Sequence, residues 1–275
     1  MNQLKNLVNR YPNRKNSTPP PKAALPIRLD PPGAREAFLL IHGFTGYPAE
    51  MSVVAHAISE AGYAVSVPRL PGHGVSRMDF YSTRAEDWVR HCYDSYLNLK
   101  AEYPVVHVGG HSMGGLLASA TAVAFDAPKL LLLAPAFLLT PKISLMKTLL
   151  APIRPFIEKN RLQTDFYAEY PEREILHKEY WDGDHIGPML QLLRLQHRCN
   201  LILPQITSEI FVIAGGKDPT VPSAVVPWIS KLARNASSIS THIIEDAMHC
   251  FNFDGHAPQT ASIVSGWLKE KTEPI

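Results

Sequence analysis

Nowhere does this 275-residue chain hold the roughly 18 to 20 consecutive apolar positions that a membrane span requires. An excess of one charge is missing too. With 27 Lys and Arg against 25 Asp and Glu and a formal net charge of +2, there is no global field to gather nucleic acid or a strongly acidic partner. Cysteine is scarce: Cys92, Cys199 and Cys250 are odd in number and widely spaced. That pattern suits reduced thiols in a cytoplasmic protein better than a disulfide framework and offers no metal-site spacing.

The first 35 residues lack the apolar centre of a signal peptide. They carry Lys5, Arg10, Arg14, Lys15 and Lys22 ahead of any acidic residue, then Pro19, Pro20, Pro21, Pro26, Pro31 and Pro32. Residues 1–35 are therefore expected to be a basic, proline-rich extension. Leu4, Leu7, Val8 and Tyr11 fall at helical spacing among basic neighbours, a pattern compatible with weak peripheral membrane association; a solvated tail is the plainer reading. No stable membrane insertion is expected.

What the chain does have is an alternation of short apolar runs and stretches of helical periodicity, which predicts βα units around a mostly parallel central sheet flanked by helices, an α/β fold. The expected strands are 37–41, 63–67, 105–108, 130–133, 210–214 and 241–244. Between them, Met51, Val54, Ala55, Ile58 and Ala61 keep one helix face apolar, and Thr83-Arg84-Ala85-Glu86 reads as a capping box opening a helix over 88–99. The rhythm breaks over 140–205, where helical and aromatic segments show no clear strand. That block is expected to be a helical cap insertion dividing a core of 36–139 and 206–275.

The chemistry centres on Gly110-His111-Ser112-Met113-Gly114, which follows an apolar strand and opens a helical stretch. A serine on so tight a strand-to-helix turn needs small neighbours, and the turn exposes its hydroxyl at a helix N-terminus that favours negative charge. The five-residue string alone arises by chance with a probability on the order of 0.1 in a chain of this size; the strand and helix around it give it weight. A serine hydroxyl also needs a base, and a base needs an orienting acid. In the chain order Ser, acid, His, the base is expected after the last strand, where His249 stands, with His256 as rival. Asp218, in Gly215-Gly216-Lys217-Asp218-Pro219 after the 210–214 strand, is the expected acid, with Asp246 and Asp254 as alternatives. The backbone amides of Phe44 and Met113 are the expected oxyanion donors. His42 and His111 adjoin glycine turns, lack the expected chain position and are read as structural.

Together His42-Gly43-Phe44, Pro71-Gly72-His73-Gly74, Gly110-His111-Ser112-Met113-Gly114, Gly216-Lys217-Asp218-Pro219 and Met248-His249 resemble the carboxylesterase and monoacylglycerol lipase-like branch of the α/β-hydrolases, over residues 35 to 270. The resemblance implies a sheet of about eight strands, a cap after the sixth, no metal or organic cofactor, and a two-step acyl-enzyme mechanism on a small-molecule acyl ester. The single glycine of His42-Gly43-Phe44 differs from the triple-glycine motif of another esterase branch, which weighs against bulky tertiary-alcohol esters. The expected function is a serine carboxylesterase for short- to medium-chain acyl esters. A monoacylglycerol lipase or lysophospholipase, an aminopeptidase using Glu158, Glu169, Glu172, Glu174 or Glu179, a carbon-carbon hydrolase and a non-enzymatic ligand receptor are the alternatives. The oligomeric state is open.

Overall fold

The computed structural model describes residues 20–74, 77–140, 156–158 and 183–269. Most of the expected cap and the first nineteen residues of the expected extension therefore lie outside the described residues, and with them Ile143, Leu145, Met146, Leu149 and Leu150, apolar side chains that the sequence supplies to the cap.

In chain order the strands are β1 (Ile27–Leu29), β2 (Glu36–Ile41), β3 (Ala64–Val67), β4 (Val105–His111), β5 (Lys129–Leu133), β6 (Phe156–Glu158), β7 (Gly183–His185), β8 (Glu209–Gly215) and β9 (Ser238–Ile244). The helices are α1 (Ser52–Glu60), α2 (Arg77–Ser82), α3 (Ala85–Glu102), α4 (Met113–Phe125), α5 (Ile186–Ile202), α6 (Val225–Leu232) and α7 (Ala257–Lys269). Seven strands form one sheet in the order β1-β3-β2-β4-β5-β8-β9, while β6 and β7 pair separately. Every pairing in the large sheet is parallel except β1 with β3.

Among the described residues the sheet has seven strands where the resemblance implies about eight, and β5 is the last of them before residues 140–205, the stretch expected to form the cap. The sheet also begins inside the proline-rich extension, because Ile27–Leu29 pairs antiparallel with Val67–Val65. Three residues with prolines close on both sides were too short a run to stand out by periodicity; an edge strand tolerates such neighbours because only one of its sides must donate.

The inner strands read as continuous apolar runs because helices cover both sheet faces. Along β2, Ala37, Leu39 and Ile41 join one core cluster while Phe38 and Leu40 join the other, the period of two that a strand imposes. Each fully buried Leu, Ile or Phe contributes about 1.5–3 kcal/mol. Helix α4 carries no charged residue, and Met113 through Ala122 are all buried, as expected of a helix apolar on every side. It stops at Asp126, which takes the left-handed conformation at φ 52°, one that Asp tolerates.

The capping box lies one residue later than the sequence suggests. Arg84 is the N-cap of α3, and its amide donates to Asp87 Oδ2 at 2.8 Å. Thr83 instead turns back to close α2, donating its hydroxyl to the Asp79 carbonyl at 2.9 Å. Within the 140–205 stretch, α5 packs against α4 and sends Leu192, Leu195 and Cys199 into the main core.

Candidate active site

The carboxyl ends of β4, β8 and β9 bring three of the expected residues together. At the end of β4, Ser112 has φ 54° and ψ −116°, a sparsely populated conformation for a non-glycine residue that surrounding bonds must hold in place. Its amide donates to the Leu133 carbonyl at 2.9 Å, and its carbonyl accepts from Gly115 at 3.0 Å and Ala136 at 3.1 Å. The small residues of the motif are sterically required. A Cβ on Gly110 would run into the Gly114 carbonyl, and one on Gly114 into the Ile41 carbonyl.

The loop after β9 carries His249. Its Nε2 lies 3.0 Å from Ser112 Oγ, and its Nδ1 lies 2.6 Å from Asp218 Oδ2. An ionised carboxylate only accepts hydrogen bonds, so Nδ1 bears the proton and Nε2 is left to accept from the serine hydroxyl. Asp218 is itself fixed. Its Oδ1 accepts the backbone amides of Thr220 at 2.7 Å and Val221 at 2.9 Å, and its side chain is fully shielded from solvent.

The rival residues lie elsewhere. His256 approaches Asp246 at 3.4 Å and Asp254 at 3.3 Å in a surface cluster, with the Asp246 side chain 70% exposed. Hydrogen bonding to Asp246, then the charges of Asp254 and Asp246, raises the His256 pKa above its ordinary value.

The loop 42–46 runs alongside Ser112, since a Cβ added at Gly43 would lie 3.5 Å from Ser112 Cβ. Met113 opens α4, where the first amides of a helix have no intrahelical acceptor. The Phe44 ring packs at 5.2 Å from Phe80 and 6.3 Å from Trp88, so its side chain serves the core, and its backbone follows Gly43 directly in the loop beside the serine. His42 orders this loop: its Nε2 accepts from the Leu70 amide at 3.1 Å, so its Nδ1 donates to the Gly43 carbonyl at 3.0 Å. Burial holds His42 well below the ordinary histidine pKa.

Two contacts at the site escape the sequence. His111 Nε2 lies 2.9 Å from the backbone carbonyl of His249, and Asn252 Nδ2 donates to the Glu50 carbonyl at 2.9 Å, tying the His249 loop to the segment beside Gly46. Adjacency to Ser112 was the only signal for His111, and Asn252 had none. Glu169, Glu172, Glu174 and Glu179 lie outside the described residues. No described group of three or more His, Cys, Asp and Glu could hold a metal ion, and no described helix is long and apolar enough to cross a membrane.

Residues 38–262 match the model of the alpha/beta hydrolase family. Over 79 residues the chain is 46% identical to the thermostable monoacylglycerol lipase of Bacillus sp. (strain H-257), a stretch covering 29% of this chain and 32% of that one. It is 38% identical over 85 residues to a carboxylesterase of Bacillus subtilis (strain 168), covering 30% and 35%. The chain thus spans about a third of the length of these curated relatives. Among solved structures, a soluble variant of monoglyceride lipase from Saccharomyces cerevisiae in complex with a substrate analog superposes with a TM-score of 0.71 at 16% identity, over 95% of this chain and 99% of that one. The metagenome-derived lipolytic enzymes LipS and LipT give 0.76 at 20% identity, over 90% and 98%. At these identities the structures speak for the fold.

Proposed function

This chain belongs to the α/β-hydrolase family, and on that premise we propose that it is a serine carboxylesterase acting on short- to medium-chain acyl esters. Ser112 is the nucleophile, His249 the general base and Asp218 the acid that orients the histidine. The observation that supports this reading is the unbroken chain from Ser112 Oγ to His249 Nε2 at 3.0 Å and from His249 Nδ1 to Asp218 Oδ2 at 2.6 Å, within the reach that proton transfer needs.

In the first half of the reaction the Ser112 oxygen attacks the ester carbonyl carbon and its proton passes to His249 Nε2. The carbonyl oxygen becomes an oxyanion facing the amides of Phe44 and Met113. As the tetrahedral species collapses, His249 gives its proton to the departing alkoxide and the acyl group stays on Ser112. In the second half water attacks that acyl group, its proton goes to His249, the Ser112 oxygen leaves and regains the proton, and the carboxylic acid departs. Asp218 stays ionised throughout and faces the transient imidazolium.

The partial likeness to a monoacylglycerol lipase favours a second reading, in which the alcohol half of the ester is glycerol. Both readings need the same three residues. A fluorophosphonate probe and a p-nitrophenyl ester test what they share: labelling of Ser112, and a loss of about 10⁴ to 10⁶ in kcat for Ser112→Ala. Labelling retained in Ser112→Ala would sink the assignment. Comparing monobutyrin or monocaprylin with the matching p-nitrophenyl ester then separates the two substrates.

A further inference from the structure

We propose that His111 is a positioning residue that holds His249 in place during the second half of the reaction, when Ser112 can no longer do so; this rests on the catalytic assignment above. His111 sits at the last position of β4, buried and directly bonded to Ser112. The carbonyl of His249 accepts and cannot donate, so the 2.9 Å contact fixes the proton of His111 on Nε2. The Nδ1 lone pair of His111 is buried without a hydrogen-bond partner among the described residues. Leaving a buried acceptor unpaired costs free energy, and the bond from Nε2 is what the ring makes in return.

His249 is therefore tied to the serine turn twice in the free enzyme, through its side chain to Ser112 Oγ and through its backbone to His111 Nε2. In the acyl-enzyme Ser112 Oγ is esterified and has no proton to share with His249 Nε2. The first tie is then gone while the second persists. The Asp218 bond fixes the tautomer and swing of the imidazole; in a loop that Asn252 also ties down through the Glu50 carbonyl, the His111 bond is the one that holds the His249 backbone itself, so that Nε2 still faces the water it must deprotonate. His111 is suited to this because it stays uncharged beside an imidazolium. The two rings are 4.9 Å apart, and burial, then the charge of His249, pushes the His111 pKa down to about 3.

The test compares His111→Asn and His111→Gln in the full chain. A glutamine amide nitrogen reaches as far as Nε2, and an asparagine amide only as far as Nδ1. With p-nitrophenyl butyrate, pre-steady-state release of p-nitrophenol reports acylation and its amplitude counts competent sites, so turnover per burst site is insensitive to misfolded material. For His111→Asn the burst rate is expected to stay within about twofold of the parent while turnover per site falls about tenfold or more, the effect of one lost hydrogen bond; His111→Gln should recover most of it. Unchanged turnover in His111→Asn, an equal loss in both phases, or a glutamine no better than asparagine would overturn the proposal. Ser112→Ala in the same assay keeps the two readings apart: a burst surviving there overturns the nucleophile, whatever His111 does.

Discussion

Asp218 divides its two carboxylate oxygens between backbone and side chain: Oδ1 takes the amides of Thr220 and Val221, leaving Oδ2 aimed at His249 Nδ1 from 2.6 Å. The loop after β8 thus holds the acid rigid before the histidine meets it. Two amide donors and an imidazole N–H together satisfy a carboxylate that has no solvent contact, which is the condition for keeping a buried charge.

Replacing Asp218 by Asn should leave the fold intact and cut kcat by about 10³ to 10⁴, because an amide nitrogen facing Nδ1 favours the wrong imidazole tautomer. Asp246→Asn, at an exposed site bonded to His256, should change kcat by less than about threefold. Steady-state rates with one p-nitrophenyl ester check both, and reversed effects would move the acid to Asp246.

The serine turn predicts a contrast between two glycines. Gly114→Ala drives a methyl group into the carbonyls of Ile41 and His42, whereas Gly255→Ala meets nothing within 4 Å. The first should cost about 3 kcal/mol or more and the second about 0.5 kcal/mol or less. Urea unfolding of both variants measures the difference.

Stability should fall as the pH drops below about 6.5. Burial lowers the pKa of His42 and takes His73 to about 4 and His111 to about 3. Below the unfolded value the unfolded chain binds protons that these native imidazoles refuse, so their stabilisation is complete above it and is lost as pH falls towards the folded values. His256 opposes this weakly, its raised pKa contributing stability at low pH that disappears as pH rises through the folded value. Unfolding free energies from denaturant titrations between pH 7 and 4.5 should decline with a slope corresponding to about one to three protons. A flat profile would mean that the buried histidines take up protons in the native state as readily as in the unfolded chain.

Chain-length preference should follow from the apolar side chains near the insertion. Leu192 is committed to the core, while Leu138, Leu139 and Met189 are only partly buried against it. If such side chains line an acyl slot, each added methylene contributes up to ~0.8 kcal/mol, nearly fourfold in kcat/KM. Efficiency should rise from acetyl to butyryl or octanoyl p-nitrophenyl esters and then level or fall, with little activity on emulsified long-chain triglyceride. A maximum at acetyl would show that these residues serve packing alone.

The sequence by itself determined whatever depends on neighbours along the chain. The apolar runs of β2, β4, β5 and β8 declare strands because a strand covered on both faces must be apolar at nearly every position. The glycines around Ser112 declare a turn because no other residue fits against the Ile41 and Gly114 carbonyls. The order of Ser112, Asp218 and His249 followed from where strands end. Signals were weak where strands lie at an edge: β1 has three residues, and β9 begins with exposed polar side chains from Ser238 onward. Tertiary structure alone decided which of His249 and His256 faces Ser112, which aspartate meets it, and that His111 grips the His249 backbone across 138 positions of sequence. Those are contacts between loops brought together by sheet order. Side-chain chemistry can say that a histidine needs a partner, but only the packing of β4, β8 and β9 sets which partner comes within 3 Å.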